Sequence, residues 1–152
     1  MRPSVLMCTS PNSMAFPIAA FGLIAAGLKI TLANSAYIPT ELAHQLRDSR
    51  AGLVFVHPAL LPVLLQAFKL LGVTSEEELR ARVVINSFTE SDEKIEAETK
   101  IERKWTRLQE LINHLSALHE ERKAVGDAAK QTTLLCYSSG EGSSLPSPSH
   151  VH

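Results

Sequence analysis

Four consecutive residues near the end of the sequence have the composition of a phosphate-binding turn. Tyr137, Ser138, Ser139 and Gly140 directly follow the apolar run TTLLC, which is typical of a buried strand. A glycine- and serine-rich turn after such a strand exposes consecutive backbone N–H groups, and these groups can surround a phosphate. We therefore take Ser138, Ser139 and Gly140 as the candidate phosphate-binding residues.

Three better-known motifs are incomplete at this position. Gly140 and Gly142 begin like the dinucleotide fingerprint, but Leu145 stands where its third glycine is required and prolines follow. No lysine follows either glycine, which excludes a phosphate loop of the GxxxxGK[ST] type. Ser138 and Ser139 lack a glycine two positions earlier, so neither serine lies on a nucleophile elbow.

The histidines do not form a metal-binding pattern. No pair combines a ligand-type spacing with a matching cluster of cysteines or carboxylates; the six are His44, His57, His114, His119, His150 and His152. We expect surface or capping roles for His44, on the polar side of a helix, and for His57, at a strand end. The sequence therefore predicts no catalytic residue and no metal ligand.

The bulk composition is that of a soluble globular chain of about one domain. The sequence has 152 residues, of which 45% are hydrophobic and 20% charged, and its formal net charge is −1. Basic residues do not form a stripe and aromatic residues are few, so the electrostatic footprint of a nucleic-acid-binding protein is absent. We expect no nucleic-acid partner.

Cysteine usage and the apolar segments favour an intracellular location. Cys8 and Cys136 each lie in an apolar run, which predicts two buried, reduced thiols rather than a disulfide. The apolar segment 14–28 is shorter than the roughly 20 residues that span a membrane, and it contains proline and glycine. Prolines and polar residues near the N-terminus also interrupt the apolar core that a signal peptide requires.

Short apolar runs alternate with helical patterns along the first half of the chain. The strand candidates are SVLMCTS, LKITLAN, AGLVFVHP and VVIN, with TTLLCY later. Helices are expected from an Asn12 or Ser13 cap to Gly27, from a Thr40 cap through ELAHQLRDSR, through ALLPVLLQAFKLLG to Gly72, and after a Ser75 cap. This alternation predicts an α/β fold with a partial, mostly parallel sheet flanked by helices.

The first two helices differ in how their surfaces are divided. The helix ending at Gly27 is apolar nearly all round, so we expect both of its flanks to be covered. In the second helix the apolar residues share one face and the charged residues point to water; the apolar ones are Leu42, Ala43 and Leu46, and the charged ones Glu41, Arg47 and Asp48.

Composition divides the chain into four segments. Residues 1–86 form the α/β part, 87–131 a charged helical connector, 132–140 a strand with the start of a phosphate loop, and 141–152 a disordered tail rich in serine and proline. The connector carries an apolar stripe that we expect to dock on the sheet, formed by Trp105, Leu108, Leu111, Ile112 and Leu115. The alternative is that the stripe from Trp105 to Leu118 binds a protein partner.

Two long stretches, together, carry a family resemblance. The run from SPNSMAFPIAAFGLIAAGLKITLANSAY to FKLLGV, followed by TTLLCYSSG, resembles the N-terminal part of the AMP-forming adenylate synthetases, in particular the fungal 4-coumarate–CoA-ligase-like branch. The resemblance covers roughly residues 5–85 and 132–140. It implies an enzyme that uses ATP and magnesium to convert a carboxylic acid into an acyl-adenylate, and then transfers the acyl group to coenzyme A.

The resemblance ends within the phosphate loop. The family pattern is Y-S-S-G-T-T-G-x-P-K-G, and this chain matches it from Tyr137 to Gly140. Glu141 then stands where threonine is expected, and Ser147 replaces the lysine when one residue is inserted. A carboxylate beside a triphosphate repels it, and the missing lysine removes a cation that would bind it. Similar enzymes carry their adenine, ribose and acyl-pocket motifs farther along the chain.

These observations lead to three hypotheses. The first is a truncated acid–CoA ligase that is inactive alone and needs no cofactor, with the tail produced by a frameshift, a misread intron or a premature stop. The second is a non-catalytic interaction module derived from such a ligase. The third is residual nucleotide binding through Ser139 and Gly140. Relatives are cytoplasmic or peroxisomal, and the ending Val151-His152 is not a peroxisomal signal.

Overall fold

In a computed structural model, the described residues are 5–9, 14–86, 105–114, 134–137 and 149–150. They form an α/β fold around one sheet of order β5-β4-β3-β1-β2-β6-β7. The strands are β1 (Val5–Thr9), β2 (Lys29–Ala33), β3 (Leu53–Val56), β4 (Val83–Ile85), β5 (Thr106–Arg107), β6 (Leu134–Cys136) and β7 (Ser149–His150). All neighbours pair in parallel except β6 and β7, which are antiparallel. The predicted fold class is confirmed.

Helices cover the sheet through two hydrophobic clusters. The helices are α1 (Ala15–Ala25), α2 (Pro39–Ser49), α3 (Leu61–Leu70), α4 (Glu76–Arg82) and α5 (Leu108–His114), with a 3₁₀ turn at Pro58–Leu60. Val54, Val56 and Ile85 face a cluster that contains residues of α2 and α3, whereas Phe55 and Val84 face a cluster that contains residues of α1 and α5. Successive strand residues therefore alternate between two covered faces, which is why these strands read as continuous apolar runs.

Helix boundaries test the predicted caps. Ser75 Oγ accepts a hydrogen bond from the backbone N–H of Glu78 at 3.4 Å, so the predicted Ser75 cap is confirmed. The predicted Thr40 cap is wrong, because α2 begins one residue earlier at Pro39, with Ile38 as its N-cap. Proline fixes the φ angle of the first helical residue, and the Glu41 carboxylate accepts the Ile38 N–H at 3.0 Å.

Other ends of helices agree with their sequence signals. The predicted glycine exits are confirmed, since Gly27 and Gly72 have φ angles of +70° and +79°. Helix α1 has Met14 as its N-cap, without a side-chain hydrogen bond. Asn12 and Ser13, the predicted caps of α1, lie outside the described residues.

Helix α1 is covered on one side only by the residues that the structure describes. Within these residues, the prediction that both flanks of α1 are covered is therefore wrong. Ala15, Ala19 and Ala20 are buried against the sheet side. The side chains of Met14, Ile18 and Phe21 are 73%, 42% and 71% exposed. They follow one another at spacings of four and three residues, so they form a single apolar stripe along the helix, which we call the α1 stripe.

The apolar stripe of the predicted connector lies on the core where it is described. Trp105 and Leu108 are buried, and Leu111 and Ile112 pack against the α1 and α5 side of the sheet. Packing on the core is confirmed for these four residues, which are therefore not a free partner surface. The prediction that they form one stripe is wrong, because Trp105 lies in the cluster with α2 and α3 whereas Leu108, Leu111 and Ile112 lie in the cluster on the other face of the sheet. Leu115, Leu118 and the rest of the connector lie outside the described residues. Pairing of Thr106–Arg107 with β4 was not predicted.

Strand β6 lies near the edge of the sheet and is only partly covered. Cys136 is an exposed free thiol, so the prediction that it is buried is wrong. Leu134 and Leu135 are themselves half-buried, which reflects the position of β6 beyond β2. The side chain of Cys8 is outside the described set. Ser149–His150 pairs with β6, a contact that the predicted disorder of 141–152 did not include. Among the described helices, none is both long and apolar enough to cross a membrane.

Candidate functional site

The candidate phosphate-binding turn follows β6 at the carboxyl edge of the parallel strands. This edge is where α/β proteins place ligand-binding loops. Tyr137 is the last described residue before the turn, and Ser138, Ser139 and Gly140 lie outside the described residues. The part of the site that the structure describes is therefore the end of β6, up to Tyr137, with the side chains that contact it.

A buried polar chain joins β6 to β2 and α2. Thr31 of β2 pairs with Leu135, and its hydroxyl donates to the Leu135 carbonyl at 3.0 Å. Gln45 of α2 donates through Nε2 to Thr31 Oγ1 at 2.9 Å and to the Leu32 carbonyl at 3.3 Å. Thr31 and Gln45 are 0% and 2% exposed. Because these groups are shielded from water, each hydrogen bond lost here would leave a buried polar atom without a partner.

A second contact joins the end of β6 to the last turn of α2. The Tyr137 hydroxyl donates to Asp48 Oδ2 at 2.7 Å, across 89 positions of sequence. The pKa of Tyr137 lies above its ordinary range, because burial disfavours the phenolate and because the hydrogen bond and negative charge of Asp48 favour the neutral phenol. Asp48 is exposed, as the sequence predicted, but its role as a hydrogen-bond acceptor was not predicted.

The last turn of α2 is itself fixed by local contacts. The Ser49 hydroxyl donates to the Gln45 carbonyl at 2.6 Å. Arg50, the C-cap, has a left-handed φ of +53°, so the chain turns sharply away from the helix directly after Ser49. Asp48 and Gln45 are therefore presented from a helix whose end has a defined position.

Two further polar side chains lie at the same edge, at the ends of β3 and β4. His57 is buried, and its Nδ1 accepts the Ala59 N–H at 3.2 Å, so its predicted capping role is confirmed and a surface role is wrong. The Asn86 N–H donates to the Val56 carbonyl at 2.7 Å, while the polar atoms of its fully buried side chain have no hydrogen-bond partner among the described residues. His44 is exposed, as predicted. Within the described ranges, no three His, Cys, Asp or Glu side chains are grouped to hold a metal ion.

The described contact at the end of β6 supplies a carboxylate and not a cation. Among the described residues, it joins the Asp48 carboxylate and the neutral Tyr137 phenol. An anionic ligand is held by cations and N–H donors, and a carboxylate opposes it. Glu141 adds a second acidic residue in the sequence that follows.

Comparison with known proteins identifies the family. The model of the AMP-binding enzyme family matches residues 2–140, which is most of the chain. The chain therefore belongs to the AMP-binding enzyme family, as the sequence resemblance indicated.

Relatives within the family are acid–CoA ligases. A 4-coumarate–CoA ligase-like protein from Oryza sativa subsp. japonica is 35% identical over 98 residues, which are 58% of this chain and 18% of the rice protein. A long-chain-fatty-acid–CoA ligase from Salmonella typhimurium is 41% identical over 46 residues, 30% of this chain and 8% of that protein. The chain thus spans less than a fifth of the length of these relatives. The fungal assignment stays a prediction.

Solved structures show the same fold over nearly the whole chain. A red-emitting luciferase from Phrixothrix hirtus aligns with a TM-score of 0.65 at 18% identity, over 91% of this chain and 24% of the luciferase. A long-chain-fatty-acid–CoA ligase from Archaeoglobus fulgidus aligns with a TM-score of 0.56 at 18% identity, over 93% of this chain and 24% of that enzyme. The fold is that of one part of the adenylate-forming enzymes.

Proposed function

We propose that this chain is the N-terminal α/β portion of an AMP-forming acid–CoA ligase and that it does not activate a carboxylic acid by itself. In such ligases the family chemistry uses ATP and magnesium to form an acyl-adenylate, and coenzyme A then accepts the acyl group. The observation that carries the proposal is the sequence after Gly140, where Glu141 replaces the family threonine and the lysine is absent. The acidic contact at the end of β6 supports it.

The proposal is tested by assaying the purified chain with ATP, magnesium and a panel of aromatic and fatty acids. Pyrophosphate release is measured, together with acyl-adenylate by mass spectrometry, and a full-length family member is assayed in parallel. We expect product with the full-length enzyme and none with this chain. Formation of an adenylate by the chain would refute the proposed inactivity.

We also propose Ser138, Ser139 and Gly140 as the phosphate-contacting residues of this loop, with too few partners to hold ATP firmly. A variant that restores the family pattern tests this assignment by calorimetry with ATP and magnesium; it carries E141T, G142T, S143G, L145P, P146K and S147G. We expect measurable ATP binding by the restored variant and none by the natural sequence. In the restored variant, S139A is expected to weaken binding. ATP binding of the natural sequence that equals the restored variant would contradict the proposal.

A second candidate function is that of a non-catalytic binding module. The observation that favours it is the α1 stripe, in which Met14 and Phe21 are more than 70% exposed on a helix without a charged residue. Burial of a large apolar side chain contributes about 1.5–3 kcal/mol, so covering this stripe is favourable. The occupant that we propose is an apolar surface in a part of an acid–CoA ligase that lies outside the portion matched by this chain.

Co-expression tests this second candidate. The chain is co-expressed with the rice relative from which the matching N-terminal portion has been deleted, and the complex is purified through a tag on that partner. We expect the natural chain to co-purify and the I18D/F21D variant to be lost, while the H44D variant, changed at an exposed position of α2, co-purifies normally. Equal recovery of both variants would show that the α1 stripe is not the contact.

A further inference from the structure

Strand β6 is attached to the sheet by few backbone pairs. It is only three residues long. Its parallel register with β2 comprises Ile30 with Leu134 and Thr31 with Leu135, and its antiparallel register with the two-residue strand β7 comprises Leu135 with His150 and Cys136 with Ser149. Short strands near a sheet edge, with half-buried side chains, open more readily than the central strands. The position at which the chain leaves β6 therefore depends on contacts other than the backbone ladder.

Side chains of α2 supply such contacts at two successive positions of the strand. At Leu135, Gln45 holds the Thr31 hydroxyl that donates to the Leu135 carbonyl. Two residues later, Asp48 accepts the hydroxyl of Tyr137. Gln45 and Asp48 are three positions apart on α2, so they lie on neighbouring parts of one helix surface.

We propose that Asp48 and Gln45 are positioning residues that fix the exit of the chain from β6 at Tyr137, the residue that precedes the proposed phosphate-contacting sequence Ser138–Gly140. This inference rests on the proposed function, in which that sequence is the first part of a phosphate loop. A loop that holds phosphate through backbone N–H groups requires a fixed backbone, because those groups act by preorganised direction. The two residues act through Tyr137 and Thr31 and are not assigned any contact with a ligand.

The register supports this role. A slip of β6 by one residue would present a different carbonyl to Thr31 and would reverse the faces of Leu134 and Leu135. It would also move Tyr137 by about 3.3 Å along the strand. That displacement would break its 2.7 Å hydrogen bond to Asp48. The two contacts therefore select the same register independently.

Amide hydrogen exchange on the complete chain tests the proposal without a ligand. D48A removes the acceptor at an exposed helical position, and Y137F removes the donor. We expect each change to accelerate exchange at Leu134–Cys136 roughly fivefold, as the loss of one partly exposed, charge-assisted hydrogen bond predicts. The double variant is expected to exchange no faster than either single variant, since both remove one interaction. Exchange in β3 and β4 should remain as in the natural chain.

Matched variants distinguish positioning from general destabilisation. R47A changes an exposed neighbour of Asp48 on the same helix and should leave β6 exchange unchanged, whereas D48N keeps an acceptor oxygen and should restore much of the protection. T31V should also accelerate exchange at β6, because it removes the buried hydrogen bond from the Thr31 hydroxyl to the Leu135 carbonyl. Unchanged exchange at β6 in D48A, an equal acceleration in all strands, or the same effect from R47A would overturn the proposal. Because no nucleotide is used, these outcomes do not depend on whether the proposed ATP chemistry is correct.

Discussion

Arg82, the last residue of α4, connects three parts of the molecule. Its Nη2 donates to the Ala51 carbonyl at 2.9 Å, and its Nη1 lies 3.1 Å from Glu78 Oε1. Its guanidinium lies 4.8 Å from the centroid of the buried Phe68 ring. The side chain is 23% exposed. Arg80, on the same helix, is 49% exposed and pairs with the exposed Glu76 at 3.5 Å, so it provides a matched control.

The two arginines should differ several-fold in their contribution to stability. A hydrogen bond from a charged donor contributes about 1.5–3 kcal/mol, and a partly shielded cation–π contact about 1 kcal/mol. Part of this is offset in Arg82 because its buried Nε has no hydrogen-bond partner in the part of the chain that the structure describes. We therefore expect R82A to lower the free energy of unfolding by about 2 kcal/mol. An exposed pair four residues apart contributes only about 0.3–0.5 kcal/mol, so R80A should cost less than about 0.5 kcal/mol.

Urea unfolding followed by far-ultraviolet circular dichroism measures both values on the complete chain. R82K provides an intermediate case, because lysine keeps the charge but loses the planar fork that contacts Ala51 and stacks on Phe68. We expect R80A to be the most stable of the three variants, R82K to be intermediate and R82A to be the least stable. Equal losses for R80A and R82A, or a loss below about 0.5 kcal/mol for R82A, would show that these contacts do not stabilise the fold.

Three further predictions concern side chains at β6 and in the core. In a Y37F background, absorbance titration should place the pKa of Tyr137 above its usual value, and D48A should lower that pKa. Because the pKa is higher in the folded than in the unfolded chain, the folded state is favoured while Tyr137 is protonated. This contribution to stability is complete below about pH 10 and is lost as the pH rises beyond it. The exposed Cys136 thiol should react rapidly with a thiol reagent under native conditions, and C136S should abolish that fast phase, whereas slow labelling would contradict its exposure. F68A should lower the free energy of unfolding by about 3–5 kcal/mol in the same urea assay, since Phe68 is 0% exposed, and a loss below about 1 kcal/mol would contradict its central position.

Strands β3 and β4 were recoverable from sequence because each is an apolar run that is covered on both faces. Strands β1, β2 and β6 were recoverable because each lies in a short apolar run. Strand β5 was not recoverable, since Thr106 and Arg107 have no apolar pattern and their pairing with Val84 and Ile85 is set by tertiary structure. The error at Thr40 has a local cause. Both Thr40 and the preceding proline are signals for a helix start, and the fixed φ of Pro39 decided the boundary.

The contacts around β6 were predictable to different degrees. Gln45 lies beside the apolar face of α2 and Thr31 lies within an apolar strand, so each could have been recognised as a buried polar residue that requires a partner. Their mutual hydrogen bond depends on how α2 crosses the sheet, which no local pattern specifies. The Tyr137–Asp48 bond joins residues 89 positions apart, and a charged residue on a polar helix face gave no signal for it.

The difference between α1 and α2 bears on what this sheet belongs to. Helix α2 has apolar residues on one face and charged residues on the other, the pattern of a helix between a sheet and water. Helix α1 has no charged residue and leaves Met14, Ile18 and Phe21 exposed at the helix surface, the pattern of a helix that lies between two apolar layers. Among the described residues, the α1 side of the sheet therefore exposes a continuous apolar stripe, whereas the surface of α2 is mainly polar. The chain belongs to the AMP-binding enzyme family and spans less than a fifth of the length of its rice and Salmonella relatives, so our proposal that another part of a ligase covers the α1 stripe explains why a helix of this kind carries no charged residue.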